Sequence, residues 1–300
     1  MSATYVAAGT LADALEAMST GARPVAGGTD LVVGARTGKA ALPEALVAIH
    51  RVDELRGVRE DGGRLVLGAL ATHADIEGSA VVRERFTALA DASAIVGSHA
   101  TRHAGTIGGN VMNASPAMET GGPLICFGAV ATLRSSSGSR DVPVGELFTG
   151  PGATVAAADE LLTEIAVPEP AAGTGSCYVR LEYRRQMEIA IVGATAVVTL
   201  TGGSVSGAHV AITALAPTIR EVPEAAQALI GSDGGGDAVQ AAADAAATAS
   251  QPISDVRGPA DYRRAMASVI ARRAIAAALA RARGEDVPIP ASPALHGGAA

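Results

Sequence analysis

Two glycine pairs carry most of the chemistry legible in this chain of 300 residues. Gly27 and Gly28 follow Arg23, Pro24, Val25 and Ala26 and lead into Thr29 and Asp30; Gly108 and Gly109 follow Thr106 and Ile107 and lead into Asn110. Glycines have no Cβ, so successive N–H groups can converge on one anion, and the adjacent Thr and Asn side chains add hydrogen bonds to phosphate or hydroxyl oxygens. Each pair also borders an apolar run, Leu31 to Val33 in one case and Val111 to Met112 in the other, the pattern of a loop held tight by packing. Two such loops predict one extended ligand with a diphosphate, gripped at two places. The chain holds 36 glycines, so the neighbours of each pair carry this reading more than the glycines do.

Other chemistries lack their residues. No G-x-G-x-x-G run occurs, and the one P-loop look-alike, residues 34–40, is one residue short between its glycines and has Ala40 where a magnesium-binding Ser or Thr is required. A Rossmann dehydrogenase or a P-loop kinase is therefore not expected. His99 and His103 stand four apart, as two ligands on one helix face would, but no acidic or cysteine ligand completes the set, and no metal is expected. No Ser-His-Asp or Cys-His arrangement is legible, so no catalytic set is assigned. Cys126 and Cys177, the only cysteines, sit among apolar or small residues outside any CxxC and read as reduced, partly buried thiols. Two cysteines cannot ligate an iron–sulfur cluster that needs four.

Net charge and composition narrow the partners. A charge of −7 with a pI near 5.4 lacks the basic stripe that nucleic acid calls for, so small molecules or other proteins are expected. Ala supplies much of the apolar count, so a mean hydropathy of +0.29 says little about membranes. The longest uncharged apolar stretch, residues 189–200, is interrupted by Gly193, Thr195 and Thr199 and falls well short of the roughly 18 residues of a spanning helix. The start of the chain, Met1 to Tyr5, lacks the basic and apolar regions of a signal peptide, which predicts a cytoplasmic protein.

The loops require elements to hold them. Thr10 and Asp13 form a capping pair ahead of Leu11, Leu15 and Met18, whose spacing marks one face of a short amphipathic helix. Residues 24–26 read as a strand feeding the first glycine loop, and 46–49 and 65–67 as further strands. Residues 81–99 read as helix, with Val82, Phe86, Leu89, Ala90 and Ile95 on one face, leading into the second loop. Residues 130–133 and 164–167 read as strands, followed by a boundary in the Pro-, Ala- and Gly-rich stretch 168–175. Beyond it, 189–200 and 207–215 read as antiparallel strands joined around Thr201, Gly202 and Gly203. Residues 221–250 read as two modest helices around a glycine-rich loop. A long helix over about 261–283 points Met266, Val269, Ile270, Ile275 and Leu279 inward and its arginines to solvent. Residues 285–300 read as a flexible tail, and the fold class is α+β.

The order of these features resembles a known family. The run Ala26 to Leu31, the run Gly105 to Asn110 with Asn113, Ala114, Ser115 and Pro116, the run Tyr183 to Arg185 before Glu188 to Val192, and the stretch Ile253 to Arg257 followed by Asp261 to Arg264 together resemble the FAD-binding medium subunit of the xanthine oxidase and carbon monoxide dehydrogenase family of molybdenum hydroxylases. The resemblance covers roughly residues 5–284. It implies a two-lobed FAD-binding domain of PCMH type over 1–172, a C-terminal α+β domain with an antiparallel sheet and helices over 173–284, and the tail after it.

The resemblance also implies roles. Arg23, Pro24, Val25, Ala26, Gly27, Gly28 and Thr29 would wrap the FAD diphosphate, with Asp30 accepting from a ribityl or ribose hydroxyl. Thr106, Ile107, Gly108, Gly109 and Asn110 would close over it from the other side, and Asn113 and Ser115 would continue along the cofactor. Glu119, where many relatives have Asp, would contact the adenosine half. Leu162 would lie beside the flavin ring or serve as a core leucine, and Arg180 occupies the place of a basic residue near that ring. The implied work is electron transfer: a large molybdopterin subunit oxidises the substrate, 2Fe–2S clusters in a small subunit pass electrons on, and FAD delivers them to an external acceptor. A dimer of heterotrimers is implied, with no nucleic acid and no membrane insertion. Two other readings stay open, a self-contained FAD-dependent oxidoreductase and a non-catalytic nucleotide-binding protein.

Overall fold

In the computed structural model, which describes residues 4–295, three sheets of three or more strands follow one another along the chain, with a two-stranded sheet besides. The first lobe runs β1 (Thr4–Ala7), α1 (Leu11–Ser19), β2 (Arg23–Val25), α2 (Thr29–Arg36) and β3 (Ala45–Ala48). Its strands form a parallel sheet in the order β1-β3-β2. Parallel neighbours need crossovers, and the helices supply them. The expected capping box is present: Thr10 Oγ1 accepts from the Asp13 N–H at 3.1 Å, and the Asp13 carboxylate accepts from the Thr10 N–H at 3.0 Å. Helix α2 buries none of its residues.

The second lobe opens with β4 (Val58–Asp61) and β5 (Arg64–Gly68). Six helical segments follow: α3 (His73–Gly78), α4 (Ala80–Arg85), α5 (Thr87–Ser93), α6 (His99–Arg102), α7 (Ile107–Met112) and α8 (Gly121–Cys126). It closes with β6 (Val130–Ser135), β7 (Gly138–Pro143), α9 (Val144–Leu147), β8 (Phe148–Gly150), β9 (Ala153–Thr154) and β10 (Leu161–Pro168). The antiparallel order β4-β5-β10-β6-β7 places the whole helical insertion, and with it the second glycine loop, between two strands of one sheet. The helix expected over 81–99 is broken twice. At Phe86 the backbone leaves the helical region to bury the ring edge-on against Phe127, with centroids 5.2 Å apart; at Gly97 φ is +53°.

The C-terminal unit runs β11 (Thr174–Leu181), β12 (Val192–Thr201), β13 (Ser204–Thr213), β14 (Arg220–Glu221), α10 (Pro223–Leu229), α11 (Gly236–Ala249), α12 (Ala260–Ala282) and α13 (Ala291–Leu295). The expected hairpin pairs β12 with β13, turning at Gly202 and Gly203, in a four-stranded antiparallel sheet. Both faces of the sheet are covered, which explains its long apolar runs. Cys177, Val179, Ala196, Val198, Val210 and Ile212 face the core made with α10, α11 and α12, while the alternate residues Tyr178, Val197 and Ala211 join the core of the second lobe. Both cysteines are buried free thiols.

Two expectations for this unit are corrected. The arginines of α12 do not all face solvent: Arg263 is fully buried, donating to the carbonyls of Ile191 at 3.0 Å, Ile253 at 2.7 Å and Ala214, and Arg281 pairs with the buried Asp91 at 2.6 Å. Residues 285–295 are not a flexible tail. Ala291 and Ser292 are fully buried, the Ala291 N–H donates to Asp91 at 3.0 Å, and Ser292 Oγ accepts from the Arg180 N–H at 3.0 Å. The end of that expectation, 296–300, lies outside the described residues.

Candidate functional site

The first glycine loop ends a strand and starts a helix. Gly28 caps α2 with φ of +69°, a left-handed conformation glycine adopts without penalty, and no side chain caps this end. The N–H groups of Gly27, Gly28, Thr29, Asp30 and Leu31 donate to no backbone or side-chain group among the described residues. They form a row of free donors at the positive end of a helix, where an anion is stabilised. The site's walls are consistent with that use: Thr29 is half-buried, Asp30 exposed, and Arg23 to Ala26 carry the chain in along β2.

The second loop is brought against the first by close packing. A Cβ on Gly27 would collide with the carbonyl of Ala104, and one on Gly105 would stand 3.5 Å from both Thr29 Oγ1 and His73 Cδ2. The two loops predicted from sequence to grip one ligand are therefore neighbours in space. Their donors are used differently. The N–H groups of Ile107 and Gly108 donate to the carbonyls of Ala71 and Ala69, both at 2.9 Å, and those of Gly109 and Asn110 donate to Thr106 Oγ1 at 3.1 Å and Thr106 O at 2.9 Å. The expectation that this glycine pair turns its backbone donors to an anion is thus corrected, because capping of α7 and anchoring to β5 consume them. What the loop offers is Asn110, whose Oδ1 accepts from Thr120 Oγ1 at 2.6 Å, leaving the amide NH2 without a partner among the described residues.

Beyond the loop, the chain passes through a strained turn. Ala114 has φ of +47°, unusual for a non-glycine residue, and its carbonyl accepts from the Gly152 N–H at 3.0 Å. The turn leaves Asn113 exposed and Ser115 half-buried beside it. The Glu119 carboxylate, expected along the adenosine half, is buried and paired with Arg180 Nη1 at 2.6 Å. Burial pushes the Glu119 carboxyl up, against the opposing pull of the Arg180 guanidinium. Arg180, fully buried, also meets Glu182 at 2.5 Å, so it joins the second lobe to β11. Leu162 is 2% exposed within β10 and belongs to the second-lobe core.

Two participants were not read from the sequence. His73 begins α3 directly behind Thr72, is 1% exposed, donates its backbone N–H to Gly105 O at 3.1 Å and leaves Nδ1 without a partner. Burial, with a smaller contribution from the Arg102 charge, pushes its imidazole down to about 4. The signal for this turn is present as a capping box, Thr72 with Asp75. The second is Met187, which donates its N–H to Gly97 O at 2.9 Å and carries the 183–189 loop of the C-terminal unit to the segment preceding α6. His99 and His103 stack with centroids 4.5 Å apart, and no group of three metal-binding side chains occurs among the described residues.

Comparison with known proteins gives the arrangement its context. Residues 1–170 match the family described as the FAD binding domain in molybdopterin dehydrogenase, and residues 177–278 the CO dehydrogenase flavoprotein C-terminal domain. The chain is 36% identical over 264 residues to the carbon monoxide dehydrogenase medium chain of Hydrogenophaga pseudoflava, covering 88% of this chain and 91% of that one. It superposes on a chain of the reconstituted CO dehydrogenase from Oligotropha carboxidovorans with a TM-score of 0.89 at 33% identity, covering 94% of this chain and 99% of that one. It superposes on a chain of quinoline 2-oxidoreductase from Pseudomonas putida 86 with a TM-score of 0.87 at 27% identity, covering 95% and 98%.

Proposed function

The chain belongs to the FAD-binding medium subunits of the molybdenum hydroxylases, and on that premise we propose which of its residues hold the dinucleotide and how its assembly is arranged. The subunit is a flavoprotein component of a heteromeric oxidoreductase and serves electron transfer. Bound FAD supplies the redox chemistry, a ring system that takes up two electrons and passes them on.

The observation that carries the residue assignment is the contact between the two glycine loops, which sets the free donors of α2 beside the second loop. In this reading the N–H groups of Gly27 to Leu31 and the hydroxyl of Thr29 hold the diphosphate, with Arg23 to Ala26 forming the approach. Asp30 accepts from a hydroxyl of the sugar or ribityl chain. Thr106 to Gly109 shape the facing wall, Asn110 donates its free amide, and Asn113 and Ser115 extend the polar track. Glu119 and Arg180 position that track by tying it to β11, and Leu162 supports it from the core. The FAD-binding unit spans 1–172 and the C-terminal domain begins at 173, since β10 ends at Pro168 and β11 starts at Thr174.

Medium chains of carbon monoxide dehydrogenase work with large and small subunits. For this chain the corresponding assembly is a dimer of heterotrimers in the cytoplasm, with molybdopterin in the large partner and 2Fe–2S clusters in the small one. That no described helix is long and apolar enough to cross a membrane is in keeping with this location. The assignment is tested by heat or acid release of the flavin from the purified complex. Free FAD is the expected product; FMN, or flavin that stays with the denatured chain, overturns the diphosphate assignment.

A further inference from the structure

Three hydroxyls are sealed between the second lobe and the C-terminal sheet. Tyr178 and Thr195 face each other across β11 and β12, and Thr213 on β13 stands opposite Gly193 of β12. Side chains alternate along a strand, so all three turn to the face that packs on the second lobe, where Tyr178 joins the core. Each of these residues is fully buried, and Tyr178 Oη, Thr195 Oγ1 and Thr213 Oγ1 have no hydrogen-bond partner among the described residues. A buried hydroxyl without a partner is costly, and in folded proteins such groups are nearly always paired, with protein or with water. Burial, with the Glu119 charge adding to it, pushes the Tyr178 phenol well up, so it keeps its proton and can donate as well as accept.

The three oxygens converge where α8 meets the sheet. A Cβ on Gly122 of α8 would collide with Thr195 Oγ1 and stand 3.3 Å from Thr213 Oγ1, so both oxygens lie within 3.3 Å of one point. A Cβ on Gly193 would stand 2.7 Å from Tyr178 Oη and 3.0 Å from Thr213 Cβ, which brings the phenol to the same threonine. Gly122 and Gly193 thus keep side-chain carbon out of the space that the hydroxyls border. A neutral set, closed to solvent, in which every member can donate and accept suits water rather than an anion or a metal; a buried water makes about three hydrogen bonds to groups of this kind. We propose that one water is held by Thr195 Oγ1, Thr213 Oγ1 and Tyr178 Oη as a fixed part of the joint between α8 and the C-terminal sheet. Thr120, which caps α8, donates its Oγ1 to Asn110 Oδ1 at 2.6 Å, so the same joint bears on the second glycine loop. The water site does not depend on what that loop binds.

The sign of a melting shift tests it. Thr195→Val, Thr213→Val and Tyr178→Phe each remove one hydroxyl and keep the shape, and melting is compared in the full chain at equal flavin content. With a shared water, each variant loses a hydrogen bond and melts about 2–4 °C lower. The triple variant then releases the water with no hydroxyl left unpaired, so its loss is smaller than the three single losses together. Variants that melt higher than the wild type would show that the hydroxyls lack any partner, and losses that simply add would show three separate partners; either result overturns the proposal. A crystal structure that resolves ordered waters should show one within hydrogen-bond distance of all three oxygens, and a dry site there overturns it as well.

Discussion

Gly108 and Gly109 are adjacent yet serve different ends. A Cβ on Gly108 would stand 2.7 Å from the Cβ and the carbonyl oxygen of Ala69, so this glycine lets α7 seat on the end of β5. One on Gly109 would meet only Thr106 Oγ1, at 3.0 Å. Gly108→Ala should therefore cost about 1–3 kcal/mol of stability, read as a lower melting temperature. Gly109→Ala should leave melting unchanged while FAD affinity falls about tenfold, equivalent to about 1.4 kcal/mol. Equal effects of the two on melting would show that both serve the fold. The glycine pairs were legible because backbone freedom is written in residue type; which N–H groups remain free was not, since Ala69 and Ala71 carry no mark of being acceptors. His73 has a separate consequence. It stays neutral in the fold, whereas the unfolded chain protonates it near pH 6.5, so its contribution is fully present above that pH and is lost as pH falls toward about 4. Urea unfolding at pH 7 and pH 5 should show the wild type losing about 2 kcal/mol more than His73→Gln over that interval. Equal losses would mean that His73 is not the group responsible.

At the level of elements, one ion pair joins segments far apart in sequence. Asp91 in α5 accepts from the N–H groups of Tyr178 and Ala291 and from both terminal nitrogens of Arg281, and Arg281 also donates to the carbonyls of Ser176, Val287 and Pro288. Helix α5, strand β11, the end of α12 and the approach to α13 meet at this point. Cutting the chain after residue 285 leaves Asp91 without the Ala291 donor and opens the Ser292 site under Arg180, so stability should drop by about 1–3 kcal/mol. A shortened chain that melts with the full one would show that this segment contributes nothing. Periodicity located α12 and the β12–β13 hairpin because their apolar residues repeat at the helix and strand periods. It could not tell that Arg263 and Arg281 turn inward, because an arginine reads as solvent-facing until its partner carbonyls and carboxylate are located by the fold. Residues 285–295 read as loose for the same reason: their Pro and small residues carry no local pattern, and Ala291 and Ser292 find their partners, Asp91 of α5 and the Arg180 N–H of β11, only in the fold. The break of 81–99 at Phe86 follows from the Phe127 ring, more than thirty residues on, which no local pattern contains.

For the whole molecule, the sheets divide the work. The parallel sheet of the first lobe aims α2, the antiparallel sheet of the second carries the helical insertion with the facing loop, and the C-terminal sheet backs the second lobe with Tyr178, Val197 and Ala211. Among the described residues the two thiols are buried, with burial pushing both well up, and burial pushes the His73 imidazole down to about 4. In the proposed reading this chain holds FAD as an electron carrier and bond-breaking belongs to the partner subunits. Such a division has a measurable signature in the intact complex. After FAD is stripped, an artificial dye that takes electrons at the level of the molybdenum or the clusters should still be reduced at close to the original rate, while reduction of the natural acceptor should disappear and return when FAD is added back. If the stripped complex still reduces the natural acceptor at the normal rate, electrons leave by a route outside this subunit, and the two glycine loops then hold a nucleotide that is not on the path.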